Sequence, residues 1–215
     1  MAKKRIYAYY DGSNFYHHIK NNYGITNVNF SDMTNQLLDL NKEELLKIKY
    51  FNCPVNRQED PQVYGDQLRF FEKIKKTPLL ELLLGRLVKR PLNKMNINCQ
   101  TCGHQKSDSL KCPMCKREIL VSNCFKYTEK GVDVKLAINL LLDALNNRYD
   151  TALLFSSDAD YVPAVKYIVK NLKKDVIYCH LPAPKTSELM QTCTSHKLIT
   201  KEIVENSQIT KQPKK

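Results

Sequence analysis

The sequence predicts an α/β domain on a doubly wound, mainly parallel sheet, and three observations point there. A continuous apolar run, residues 151–155, ends abruptly in Ser156-Ser157-Asp158, as a strand buried on both faces ends. Strand-like and helix-like segments alternate along the chain, the pattern of repeated βαβ units. Acidic residues follow several of the strand-like segments, and open parallel sheets bind ligands beyond the carboxyl ends of their strands.

The elements follow in order. Residues 6–10 are apolar and aromatic, and Asp11-Gly12-Ser13-Asn14 interrupts them, so a first strand passes through a turn into a helix over 13–23. Ser31-Asp32 opens a second helix reaching residue 40. Residues 47–51 alternate as a strand does. Residues 60–76 read as a helix with Leu68, Phe71 and Ile74 on one face. The apolar residues 79–88 read as a strand. Gly131-Val132-Asp133 opens a helix with Leu136, Ala137, Leu140, Leu141 and Ala144 along one side. Leu142 and Leu145 widen that side, so substantial burial is expected. Pro163 suits the first turn of a further helix, where no amide hydrogen is needed. That helix carries Val162, Val165, Ile168, Val169 and Leu172, and residues 175–179 give another strand. The domain is expected to span 1–204, with a mobile basic tail over 205–215.

Composition limits the function. The chain has 215 residues, 42% hydrophobic and 26% charged, enough for one folded domain with a small appendage. No stretch approaches the roughly 20 apolar residues that cross a bilayer. Met1-Ala2-Lys3-Lys4-Arg5 leads into the first strand without the apolar region of a secretory signal, so a soluble, cytoplasmic protein is expected. The formal net charge is +12, and residues 66–130 hold fourteen Lys and Arg against six Asp and Glu. Such a surface attracts polyanions, nucleic acid above all. The chain has no GxGxxG and no P-loop, the usual cradles for nucleotide phosphates. Asp11 also lacks the second aspartate, two residues on, of haloacid-dehalogenase-type phosphatases.

The strand-end carboxylates carry the candidate chemistry. Asp11 follows the first strand, Asp158 and Asp160 follow the 151–155 strand, and Asp133 opens a helix. Four carboxylates brought together repel unless hard cations lie among them. Mg²⁺ or Mn²⁺ takes such oxygens, keeps waters and leaves room for phosphate, the chemistry of phosphodiester hydrolysis. Each residue also has a structural role open to it: Asp160 and Asp133 as helix N-caps, and Asp11 as a turn former beside Gly12.

Three motifs then resemble those of one family. Tyr9-Tyr10-Asp11-Gly12-Ser13-Asn14, Lys130-Gly131-Val132-Asp133-Val134 and the segment from Leu153 to Pro163 are similar, in order and spacing, to the motifs of NYN domains, the LabA-like branch of the PIN-like nucleases. The resemblance covers about residues 5–200. It implies a PIN-like fold and a metal-dependent ribonuclease in which Asp11, Asp133, Asp158 and Asp160 hold Mg²⁺ or Mn²⁺. Asn14 would orient a phosphate or a water. Many members carry another carboxylate where this chain has Asn139, so a weakly active or inactive RNA-binding adaptor is the alternative. Asn139 also fits a polar stripe with Lys135, Asp143 and Asn146 at helical spacing.

Cys99-Gln100-Thr101-Cys102 and Cys112-Pro113-Met114-Cys115 form two CxxC pairs nine residues apart. Two such knuckles supply four thiolates to a tetrahedral Zn²⁺, a closed and therefore structural site. A zinc-ribbon insertion is expected over 91–118, with Arg86, Lys89 and Arg90 before it and Lys126 and Lys130 after it as nucleic-acid contacts. Phosphate contacts of this kind position a strand without reading its sequence. The reading is endonucleolytic cleavage of single-stranded RNA, leaving a 5′-phosphate and a 3′-hydroxyl. DNA is a second candidate substrate, a protein partner is an alternative use of the ribbon, no membrane is involved, and oligomeric state is left open. Tyr9, Tyr10, Phe15, Tyr16, Phe125, Tyr127 and Tyr161 flank the site in sequence as candidates for base stacking.

Overall fold

A computed structural model describes residues 2–58, 60–91, 94–98, 105–109, 114–115, 117, 125–183 and 185–209, with the side chains of 91, 94–98, 105–109, 125 and 126 left aside. Two compact units emerge, one of residues 1–86 with 131–215 and one spanning Leu87–Lys130.

The first unit begins with β1 (Lys4–Asp11), α1 (Gly12–Tyr23), α2 (Phe30–Asn35), β2 (Glu43–Asn52), α3 (Pro61–Ile74) and β3 (Leu80–Leu84). In the second unit, β4 (Arg86–Pro91) pairs with β7 (Phe125–Lys130), and β5 (Lys94–Asn98) forms an antiparallel hairpin with β6 (Gln105–Ser109). The first unit resumes with α4 (Val132–Leu145), β8 (Thr151–Phe155), a 3-10 turn (Ala159–Tyr161), α5 (Val162–Asn171), β9 (Asp175–His180), α6 (Ser187–Thr192), β10 (Ser195–Leu198) and α7 (Lys201–Asn206).

One six-stranded sheet organises the first unit, in the order β10-β9-β8-β1-β2-β3, with every pair parallel. The chain winds outward from β1 through β2 and β3, then returns and winds the other way from β8. The doubly wound parallel sheet expected from the alternation is what forms, and its switch point lies between β1 and β8. Tyr10 of β1 stands in register with Phe155 of β8, and their rings stack at 3.8 Å between centroids. Phe15 and Phe30 meet Tyr10 edge-on, so the core of one face is an aromatic cluster directly beneath the switch point.

Several elements differ from the sequence reading. The apolar run 79–88 is divided between β3 of the main sheet and β4 of the second unit, with Gly85 at the break. The second helix stops at Asn35 rather than at residue 40. Leu142 and Leu145 do not bury α4: they are about half exposed, and its buried apolar residues are Val132, Leu136, Leu140 and Ala144. Residues 205–209 belong to the fold, since Glu205 and Asn206 complete α7, Gln208 bridges to Val28, and Ser207 is buried. Among the described residues no helix is long and apolar enough to cross a membrane.

Candidate active site

The carboxyl ends of β1 and β8 lie side by side, and β1 delivers the first acidic residue. Asp11 ends β1, and its Oδ1 accepts the amide of Asn14, capping α1. Gly12 follows because nothing larger fits: a Cβ there would lie 2.5 Å from the Tyr50 ring and 2.6 Å from the Phe51 carbonyl. The backbone therefore turns into α1 at once, and the Asp11 side chain stays at the switch point, only 5% exposed. Ser156, the first residue after β8, donates its hydroxyl to Asp11 Oδ2 at 3.0 Å. Asn14 ties the same two strand ends by accepting the Ser157 amide at 3.0 Å.

A second carboxylate comes from α4. Gly131 caps that helix in the left-handed region, φ 84°, where a glycine costs least, and Asp133 lies in the first turn. Tyr161, fully buried, joins the two acids. Its hydroxyl lies 3.1 Å from Asp11 Oδ2 and 3.1 Å from Asp133 Oδ1. Sequence reasoning named Tyr161 only as one of seven aromatics. Its hydroxyl carries no sequence signal beyond its place directly after Asp160.

The remaining pair of aspartates is placed differently. Asp158 is half-buried and caps the 3-10 turn, its Oδ1 accepting the Asp160 amide at 2.9 Å. The Asp158 amide bonds to the Ser156 hydroxyl at 3.2 Å, which connects it to Asp11 through one side chain. Asp160 is exposed and caps nothing; the cap role expected for it falls to Asp158. Among the described residues, no three His, Cys, Asp or Glu side chains group closely enough to hold a metal ion. Of the four expected carboxylates, Asp11 and Asp133 meet at the Tyr161 hydroxyl, and Asp158 and Asp160 lie on the adjoining turn, where Asp158 hydrogen-bonds to its own turn.

Burial pushes the Asp11 carboxyl above its ordinary range; hydrogen bonds from Asn14, Ser156 and Tyr161 oppose that, and the Asp133 charge adds to it. The Tyr161 phenol is pushed well up by burial and by the two carboxylates, so it remains a hydrogen-bond donor. None of the four aspartates forms an ion pair with Lys or Arg among the described residues. A buried carboxylate beside a second one, with no cation of the chain's own, is the donor chemistry that suits Mg²⁺ or Mn²⁺. Such ions take one or two carboxylates and fill their remaining positions with water. Two carboxylates of this kind would suit such an ion only with water in its remaining positions.

Below this pair lies a network that sequence reasoning missed. Lys49 of β2, 5% exposed, reaches Asp143 Oδ2 at 2.5 Å and Asn139 Oδ1 at 2.9 Å. Tyr9 donates to the same Asp143 oxygen at 2.7 Å, and Arg148 to the other at 3.0 Å. Asn139 and Asp143 share one side of α4, as the helical spacing allowed, and Asp143 is buried there.

Of the flanking aromatics, Tyr9, Tyr10, Phe15 and Tyr161 are core. Tyr16 is 41% exposed on α1, with the Lys20 ammonium 5.8 Å from its ring centre. Arg86 is exposed in the first unit. Lys89, Arg90 and Lys130 are exposed in the second unit, to which Lys126 also belongs. Cys99, Cys102 and Cys112 lie outside the described residues; Cys115 is described and exposed.

Comparisons with known proteins agree with this architecture. The model of the NYN domain matches residues 5–200. Comparison with curated proteins gives no match. Among solved structures, the fold is similar to the crystal structure of a Vibrio parahaemolyticus protein of unknown function, with a TM-score of 0.59 and 16% identity over 92% of this chain and 94% of that one.

Proposed function

The chain belongs to the NYN domain family, typically a nuclease domain, and from that premise we propose that it is a divalent-metal-dependent endoribonuclease acting on single-stranded RNA. The observation that carries the reading is the pair formed by Asp11, buried at the switch point of the sheet, and Asp133, exposed in the first turn of α4, both 3.1 Å from the Tyr161 hydroxyl and neither ion-paired to Lys or Arg among the described residues. PIN-like nuclease domains generally use divalent metal ions. Asp11 and Asp133 would hold Mg²⁺ or Mn²⁺, which would supply an acidified water and neutralise charge on the phosphate.

The chain's own groups do the rest. Asp11 and Asp133 present their oxygens to the ion, and Asp158 and Asp160 add negative charge on the adjoining turn. Asn14 locks the ends of β1 and β8 together through the Ser157 amide, which holds Asp11 at the end of β1 beside β8. Tyr16, exposed near the start of α1, offers a face to an unpaired base. Lys126, Lys130, Arg86, Lys89 and Arg90 take phosphates, a contact indifferent to sequence that leaves DNA as a competing polymer. A four-cysteine zinc ribbon, inserted in a domain of the LabA-like branch, is part of the proposal on the spacing of Cys99, Cys102, Cys112 and Cys115, the first two falling in sequence between β5 and β6. A cytoplasmic location accompanies the reading.

A second reading has its own support: the carboxylates form a pair rather than a group of three, and Asn139 is occupied by Lys49. An RNA-binding adaptor would look the same. Labelled single-stranded RNA incubated with Mn²⁺ or with EDTA separates the two. Cleavage that needs Mn²⁺ and disappears in Asp11→Asn and Asp158→Ala supports the nuclease. Tight binding without cleavage by contaminant-free protein establishes the adaptor.

A further inference from the structure

Among the described residues, the Tyr161 hydroxyl is the one group that touches both carboxylates, the buried Asp11 and the exposed Asp133. It is delivered by the 3-10 turn, with its ring wholly enclosed, and so cannot swing away without opening the core. It stands 3.1 Å from an oxygen of each acid. A phenol has one hydrogen, so it satisfies one of these oxygens and leaves the other facing its lone pairs. The two acids arrive from different elements, β1 and α4, that have no other described hydrogen bond between these side chains. Ser156 supports Asp11 but does not reach Asp133. The separation of the pair is therefore set by the Tyr161 oxygen.

We propose that Tyr161 is the positioning residue of the acidic pair, its buried hydroxyl fixing Asp11 and Asp133 at the spacing that captures a divalent cation. This rests on the nuclease reading and deepens it, because it names the group that determines metal affinity without being a ligand. Hydrogen bonds to metal-binding carboxylates orient the oxygens, and their loss typically costs 10–100-fold in affinity. Phenylalanine keeps the ring and its packing and removes only the oxygen.

The test is Mn²⁺ titration of the full chain, wild type, Tyr161→Phe and Ser156→Ala, followed by calorimetry and by the Mn²⁺ dependence of RNA cleavage. Tyr161→Phe is expected to weaken Mn²⁺ binding about 10–100-fold, with the cleavage rate at saturating Mn²⁺ largely restored. Ser156→Ala, which leaves the bridge intact, is expected to weaken it less. Equal Mn²⁺ affinity in wild type and Tyr161→Phe overturns the proposal while leaving the nuclease reading standing, as does a larger loss in Ser156→Ala. Absence of Mn²⁺ binding in the wild type overturns both. Should the variant not fold, 3-fluorotyrosine at position 161 gives the same decision. Its ¹⁹F resonance is expected to shift as Mg²⁺ binds, and an unmoved resonance under Mg²⁺ saturation overturns the proposal.

Discussion

Replacing Lys49 with methionine tests the network beneath the site. The ammonium is buried against Asp143, itself 1% exposed, and joins β2 to α4, the helix that carries Asp133. Removing one partner of a buried ion pair strands the other charge, at about 3–5 kcal/mol. Arg148 and Tyr9 still bond to Asp143, so the lower end applies, about 3 kcal/mol. For a domain of this size that lowers the thermal midpoint by about 6–12 °C. Lys49→Met combined with Asp143→Leu removes both buried charges, leaving the Tyr9 hydroxyl and Asn139 amide to be satisfied and the half-exposed Arg148 to turn to water, and is expected to cost about 1–2 kcal/mol. Urea and thermal unfolding of the two single variants and the double variant give the coupling directly. A loss below about 1 kcal/mol in Lys49→Met, or a double variant less stable than Lys49→Met, refutes the burial argument.

Three further outcomes follow from the same geometry. Asp11→Asn keeps the cap on α1 while removing an unpaired buried charge. The metal-free variant is expected to melt at or above wild type at neutral pH and to gain nothing from Mn²⁺; a lower midpoint contradicts this. Gly12→Ala drives a Cβ into Tyr50 and the Phe51 carbonyl, at an expected cost of about 2–3 kcal/mol measured by urea unfolding. Asp150 is held down to about 2 by the hydrogen bond from Arg5, so its contribution to stability is full above its ordinary 3.8 and is lost as pH falls towards 2. Asp150→Asn is expected to flatten the acid limb of thermal stability in that interval, modestly, because the pair is more than one-third exposed.

Much of the sheet was legible because it is built from uninterrupted apolar strands. Residues 151–155 coincide with β8, and Asp11 at the end of β1 lies at the switch point, as strand-end acids should. β10 was not legible. It is a four-residue edge strand whose side chains are mostly exposed, so neither an apolar run nor alternation marks it. The extent of burial along α4 misled for a related reason: helical spacing shows which leucines share a side, not how much of that side the sheet covers. Asp143 and Lys49 are 94 residues apart, and a buried ion pair of that separation leaves no local pattern. The site was half legible. Strand-end position placed Asp11 at the switch point, whereas the capping of its own turn by Asp158 and the bridge made by Tyr161 depend on side-chain directions that spacing does not encode.

The central claim is that Asp11 and Asp133 share a divalent cation. A crystal structure of the full chain soaked in Mn²⁺, with anomalous data, measures it directly. The expected result is one strong anomalous peak in contact with a carboxylate oxygen of each residue. Anomalous density only elsewhere on the chain, with Asp11 and Asp133 still bridged by Tyr161 alone, would contradict it.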